Sequence, residues 1–366
     1  MPNAPSEPDP RYSLAALLEP SSFAKLAAIG VIVVGVAAAF AWTAGWLSAG
    51  QLTPGRMIDT FEDVDGPHPG FRRNHAKGVC LEGSFESNGA GAKLSTASIF
   101  KPGRVPVSGR FSLAGGMPMM PDGPAAVRSM ALNFTQPDGE AWRTAMIDIP
   151  VFPVKDPRGF HELLLSSKPD PKTGKPDPSA GKAFAAAHPE AVKAIAILKA
   201  HPFSSGFANA TYNALNAFLL VDAAGKATPV RWWMAPVDPF AAEPPNPPDD
   251  KNYLFDALIA RVQKAPAQWH LMLTVGQPGD PTDDATLPWP TDRPQVDAGT
   301  LSVERIVAEA EGNCRDINFD PLVLPAGIVP SDDPLLSARS AAYSVSFTRR
   351  AGEPKIPSAV QVPQRK

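Results

Sequence analysis

From Leu26 to Leu47 the chain reads LAAIGVIVVGVAAAFAWTAGWL, 22 positions without a charge and without a polar stripe. At about 1.5 Å of rise per residue, a helix of this length spans the hydrocarbon core of a bilayer. Trp42 and Trp46 stand at its far end, where interfacial aromatics are favoured. Arg11 and Lys25 precede the segment, and Asp59, Glu62, Asp63 and Asp65 follow it. This bias predicts a membrane contact through 26–47, the N-terminus inside and the body outside. A cleaved signal peptide is the alternative. Its apolar region is usually about 7–15 residues, shorter than this one, although the small residues near Ala44 and Ala49 permit cleavage. Apolarity on every side argues against a buried soluble helix.

The rest of the pattern divides the chain into a disordered segment over 1–22, an anchor or signal over 23–48, a folded body over 55–350 and a loose tail over 351–366. Residues 51–70 predict a short helix leading into a loop. From 71 to about 154 the period changes. HAKGVCLEGSF, VPVSGRFSLA, RSMALNFTQ and WRTAMIDIPVF are rich in strand formers and are separated by SNGAG, KPG, MPDG and PDG. Four such runs at close spacing predict an antiparallel meander able to close into a barrel. Residues 165–182 read as a loop, and 183–200 as a helix interrupted near Pro189. NAFLLVD, ATPVRWWMAP and WHLMLTVGQP are further strands, followed by a proline-rich arm over 276–295. A last helix runs from Asp332 to Arg350, with Asp333 as N-cap and Pro334 in the first helical position.

Composition removes several function classes. The net charge is −3 and basic residues do not cluster, which speaks against a nucleic-acid surface. Forty-three prolines and 28 glycines describe a globular body with long, stiff loops. The only cysteines, Cys80 and Cys314, form no CxxC pair, so structural zinc and iron–sulfur clusters have no ligand set. The absence of CxxCH excludes covalent c-type haem. One disulfide or two buried thiols fit equally.

Candidate chemistry lies at the two ends of the body. Arg339 and Tyr343 are four apart on the last helix, and Arg350 lies seven further along the same stripe. A guanidinium beside a phenol favours the phenolate, a ligand suited to ferric iron. The same spacing also fits an ordinary surface pair. His75, in Asn74-His75-Ala76-Lys77-Gly78, starts a strand before a glycine that lets backbone approach closely. Such a histidine can serve as an acid–base group, or be structural. Residue by residue, the reading reaches a globular, membrane-linked domain and stops.

Taken together, HAKG at 75–78, RFS at 110–112, PVF at 150–152, KDP at 155–157 with Phe160, FDP at 319–321, PAGI at 325–328 and R-x-x-x-Y at 339–343 resemble the catalase family. They occur in that family's order across about 55–350. More narrowly, the chain is similar to the short catalase-related peroxidases, which lack the wrapping domain, C-terminal helices and nicotinamide site of large catalases. The resemblance implies an α+β fold: an eight-stranded antiparallel β-barrel with surrounding helices, here preceded by one N-terminal transmembrane helix. It implies haem b, with Tyr343 as iron ligand and Arg339 stabilising its phenolate. It makes His75 the distal acid–base, with Ser112 hydrogen-bonded behind it. Arg72, Arg110 and Arg350 would hold the haem propionates, Phe160 would pack on the haem face, and Val79 and Phe134 would line the distal pocket.

The implied reaction is reduction of hydrogen peroxide through a ferryl intermediate, with a small organic electron donor completing the cycle. Counting back from Pro150, Ile147 (beside Asp148) occupies the position where catalases carry a distal asparagine. Isoleucine donates no hydrogen bond, so weak oxygen release is expected. Asn74 is an amide that could partly stand in. The alternatives are a non-enzymatic haem- or lipid-binding barrel and a true catalase. Without a wrapping arm the expected state is a monomer or homodimer, single-pass in a bacterial inner membrane with its catalytic domain in the periplasm. Trp232 and Trp233, beside Arg231, point to opposite faces of a strand and read as barrel packing. His161, His188, His201 and His270 share no metal-ligand spacing. Asn209-Ala-Thr211 fits a glycosylation pattern that nothing else supports.

Overall fold

The computed structural model describes residues 20–43, 50–123, 126–244, 248–312 and 314–363. The chain divides into two units, residues 1–53 and 54–366. In the first, α1 (Pro20–Thr43) is continuous. Its stretch Phe23–Thr43 has mean hydropathy 2.3 and buries none of its side chains within the protein. It is long and apolar enough to cross a membrane, and a signal sequence has the same character. The helix starts six residues earlier than the charge-free run. Positions 44–47 of that run, and the segment 1–19 expected to be disordered, lie outside the described residues.

The second unit opens with α2 (Pro54–Asp65) and contains ten strands. They are β1 (Gly78–Ser87), β2 (Gly103–Leu113), β3 (Arg128–Thr135), β4 (Ala141–Ile147), β5 (Tyr212–Asn213), β6 (Phe218–Val221), β7 (Ala227–Pro236), β8 (Ala267–Val275), β9 (Gln295–Val307) and β10 (Ile328–Pro330). The order β7-β5-β4-β3-β2-β1-β9-β8 closes on itself through a β7–β8 pairing, which makes the expected eight-stranded antiparallel barrel. Strands β6 and β10 extend from β7 outside that ring. The first four strands form the predicted meander, from β1–β2 to β3–β4. Gly83 marks a register shift between β1 and β9. A Cβ there would sit 1.9 Å from the Ser302 carbonyl oxygen, so only glycine allows this bend.

The interior is aromatic. Phe111, Phe134, Trp142, Tyr212, Trp232 and Trp269 are at most 1% exposed and belong to one core cluster. Phe134 stacks on Trp142 at 4.9 Å, and Trp142 meets Trp232 edge-on at 5.0 Å. Trp232 donates to Thr144 Oγ1 inside, whereas Trp233, on the other face, donates to Thr274 Oγ1. The expectation that this pair packs the barrel holds for Trp232.

Around the barrel lie α3 (Pro157–Ser167), α4 (Pro178–Ala187), α5 (Pro189–Ala200), α6 (Tyr253–Lys264) and α7 (Pro334–Ala351). The loop expected over 165–182 is shorter than predicted. α3 runs to Ser167, and α4 begins at Pro178 behind Asp177, which caps the Ser179 N–H. The break at Pro189 is where α5 starts, and Asp333 caps α7 as its sequence predicts, accepting from Leu335 N. The 276–294 arm folds back on the body. Arg231 lies 4.8 Å from the Trp289 ring and donates to the Leu287 and Asp284 carbonyls. Cys80 and Cys314 form a disulfide, which decides the alternative left open by the sequence.

Candidate active site

One cavity, about 1320 Å³ including its mouth, lies between the outer face of β2–β4 and the inner stripe of α7. Strand alternation builds one wall. Arg110 and Ser112 of β2, Ser129 and Ala131 of β3, and Ala145 and Ile147 of β4 all point outward into it. Helical periodicity builds the other. Leu335, Ala338, Arg339, Ala342, Tyr343, Ser346 and Arg350 line it from α7 at spacings of three and four. The small residues 338, 342 and 346 leave a shallow floor. Met57, Ile58 and Phe61 of α2, with Phe152 and Phe160, close the apolar side. Phe160 packs on Phe152 at 5.4 Å and on Phe61 at 5.9 Å.

The same alternation corrects two expectations. Val79 and Phe134 face the barrel interior, in the dry core with Phe85 and Trp142, and neither lines the cavity. They lie on the right strands but on the inner face. The other eight residues, His75, Arg72, Arg110, Ser112, Phe160, Arg339, Tyr343 and Arg350, come together around the cavity.

His75 sits in a left-handed backbone conformation, φ 57°, and Leu215 has φ 66°. Among the described residues these are the only non-glycine positions with positive φ, and both line this cavity. Strained backbone of this kind concentrates at functional sites. The segment holding His75 is over-determined. Asn74 Oδ1 accepts from His75 N at 2.9 Å and from Gly115 N at 2.8 Å. Arg110 Nη1 donates to the His75 carbonyl at 2.7 Å, and Nη2 to that of Ala76 at 3.0 Å. Gly78 makes room for that guanidinium, since a Cβ there would lie 2.5 Å from Arg110 Cζ.

The His75 side chain is half-buried, with its Nδ1 shielded from solvent. Burial, then Arg110, Arg339 and Arg72, push its pKa down to about 3, so the imidazole is neutral across the physiological range. Its Nδ1 has no hydrogen-bond partner. The bond expected from Ser112 is therefore not formed, although both residues line the cavity.

Three arginines converge at one end, Arg110 and Arg350 buried and Arg72 half-buried. Burial, Arg350 and Arg110 hold Arg72 well below the ordinary arginine range, and burial and Arg110 lower Arg350 to about 10. Glu309 accepts from Arg110 Nε at 2.5 Å, and with Asp316 it offsets part of the charge of Arg350. Three converging guanidiniums, of which only Arg110 is paired to a carboxylate by a hydrogen bond, suit a ligand with acidic groups. At the other end Arg339 Nη1 donates to Asn216 Oδ1 at 2.5 Å, and Asn216 Nδ2 donates to Asp333 Oδ2 at 2.7 Å. The residue that caps α7 thus also orients, through Asn216, the guanidinium one turn before Tyr343.

The arrangement fits haem on grounds of its own. It offers a shallow floor carrying a tyrosine, a dicarboxylate-sized excess of positive charge, and a neutral, unpartnered histidine across the cavity. Sequence reasoning missed Asn216, Glu309 and the α2 residues. The hydrophobic spacing of Met57, Ile58 and Phe61 in α2 was the one local signal.

The family described as Catalase matches residues 56–357. A catalase-related peroxidase of Synechococcus elongatus is 37% identical over 89% of this chain and 93% of its own length. Another, of Mycolicibacterium paratuberculosis, is 31% identical over 83% of this chain and 96% of its own. A fungal catalase structure superposes with a TM-score of 0.70 at 18% identity, covering 83% of this chain and 65% of that one. A bacterial catalase gives 0.68 at 21% identity, with 83% and 63% covered. Both structures bear on the fold alone.

Proposed function

This chain belongs to the catalase family, and we propose that it is a haem-dependent peroxidase reducing hydrogen peroxide and oxidising a small organic donor. The observation that carries this reading is the neutral, half-buried His75 facing the same cavity as Tyr343 and Arg339. Tyr343 would hold the iron, Arg339 would stabilise its phenolate, and Arg72, Arg110 and Arg350 would engage the acidic groups of haem b. Bound haem would supply the redox centre at which the O–O bond is cleaved.

The protein's own part is proton handling and positioning. A neutral imidazole at His75 accepts a proton from hydrogen peroxide and returns it to the departing oxygen. Because the imidazole is neutral, a ring nitrogen is available to take that proton. The Asn74 and Arg110 bonds hold the ring's backbone through this exchange. Phe152, Phe160 and Phe61 keep one side of the cavity apolar, which limits competing water.

Ile147 supports weak oxygen release. It presents to the cavity an apolar side chain that donates no hydrogen bond. The passive-binder alternative is disfavoured because a binder needs no neutral base held in strained backbone. The α1 helix suits either a membrane anchor, with the enzyme on the periplasmic side, or a signal sequence. The test is a parallel assay of haem-loaded protein with peroxide and a small aromatic donor. Donor oxidation should far exceed oxygen evolution; oxygen evolution that dominates would return the protein to the true catalases.

A further inference from the structure

Cys80 and Cys314 are joined across 234 residues of sequence, and the disulfide packs with Ala131 and Phe319 against Tyr343. Cys314 opens the 314–319 loop, and the carbonyls of that loop receive the arginines of the cavity. Arg72 Nη2 donates to Cys314 O at 3.0 Å and to Ile317 O at 2.8 Å. Arg350 Nη2 donates to Arg315 O at 3.1 Å. The Arg72 guanidinium also lies 5.4 Å from the Phe319 ring. Arg315 returns a bond to Gly70 O at 3.1 Å, two residues before Arg72.

These contacts oppose a repulsion. Arg350 and Arg110 raise the electrostatic cost of a charged Arg72, and Arg110 raises that of Arg350. Arg110 is hydrogen-bonded to Glu309, whereas the hydrogen bonds of Arg72 and Arg350 go to loop carbonyls. That loop has only a three-residue helical turn, Cys314–Asp316. Cys80, by contrast, sits in β1, which is paired to β2 on one side and β9 on the other.

We propose that the Cys80–Cys314 disulfide is a positioning element of the cofactor site, pinning the 314–319 loop to the barrel so that its carbonyls keep Arg72 and Arg350 gathered. The inference rests on the haem reading of the cavity. It makes retention of a dicarboxylate cofactor depend on an oxidising compartment, where such a bond persists.

The experiment compares wild type, Cys80→Ser with Cys314→Ser, Arg72→Ala, and the triple variant. In the cofactor-free proteins, hydrogen exchange is followed at 70–73, 314–319 and β7–β8. Removal of the disulfide should speed exchange at 70–73 as well as at 314–319, with β7–β8 unchanged. Unchanged exchange at 70–73 overturns the coupling, whether or not haem binds. After loading with haem, release to apomyoglobin should be about tenfold faster or more without the disulfide, the factor expected from losing one charge-assisted hydrogen bond. In the Arg72→Ala background the same removal should add less than about threefold, because coupled groups are non-additive. A full tenfold step in that background means the disulfide acts through general stability, which overturns the proposal. Wild type that takes up no haem sinks the haem reading itself.

Discussion

Strands β2, β3 and β4 have two faces with different tasks. The inner face carries Phe111, Met130, Leu132, Phe134, Trp142 and Met146, all completely buried in the core. The outer face of the same strands carries Arg110, Ser112, Ser129, Ala131, Ala145 and Ile147, and there the strands wall a cavity. The inner face is apolar and large, the outer face small or polar. One residue of register separates packing from chemistry. An eight-stranded barrel filled with aromatics leaves no room for a large ligand inside, so the site had to form outside, against a helix.

This contrast predicts that the two faces fail differently. The largest effect belongs to the outer side. His75→Gln should slow reduction of peroxide by roughly 10²–10⁴-fold, while haem uptake and thermal unfolding stay close to wild type. A stopped-flow trace after peroxide addition measures this, and an unchanged rate removes His75 from the chemistry. Next comes the inner side. Trp142→Ala should cost about 3–5 kcal/mol of stability, seen as a lower denaturant midpoint, with turnover per bound haem little altered in the fraction that folds. Equal losses of stability and turnover would erase the distinction.

A smaller effect follows from the His75 ring. Its pKa falls from 6.5 to about 3 on folding, so between those values the unfolded chain takes up a proton that the folded protein refuses. This contribution to stability is present above about pH 6.5 and is lost as the pH falls toward 3. Asp148, buried beside Ile147 and raised to about 6, acts in the opposite sense but is common to wild type and variant. The cofactor-free wild type should therefore lose more stability than His75→Gln on acidification from 6.5 to 4. Parallel curves would mean His75 is not shielded. The smallest effect is at Ile147. Ile147→Asn restores an amide donor and should raise the ratio of oxygen release to donor oxidation by about 2–10-fold, the worth of one hydrogen bond. An unchanged ratio would show that this position does not set the partition.

Much of this was legible in the chain where local signals repeat. The turn-punctuated runs between 71 and 154 gave β1 to β4, and Asp333-Pro334 gave the start of α7. The identical device at Asp156-Pro157, where Asp156 caps the Gly159 N–H, went unread, so α3 was missed. β9 (Gln295–Val307) likewise lies outside the predicted strands. α6 shows buried positions at 254, 255, 258, 259 and 262, a helical spacing legible in the sequence. Val79 and Phe134 were assigned to the right strands and the wrong face, since a motif match carries no information on side-chain direction until register is known. Asn216 and Glu309 were beyond local reading. Each matters only through a partner more than a hundred residues away, Arg339 in one case and Arg110 in the other.

The central claim, that a haem peroxidase site lies between the outer barrel face and α7, is tested most directly by absorption spectroscopy of wild type and Tyr343→Phe. Both proteins are titrated with haem, and then treated with a small excess of hydrogen peroxide followed by an aromatic donor. Wild type should bind one haem per chain, shift its spectrum on peroxide and recover it on donor addition, whereas Tyr343→Phe should bind haem weakly and show no such cycle. Failure of the wild type to bind haem, or a full cycle in Tyr343→Phe, would contradict the account.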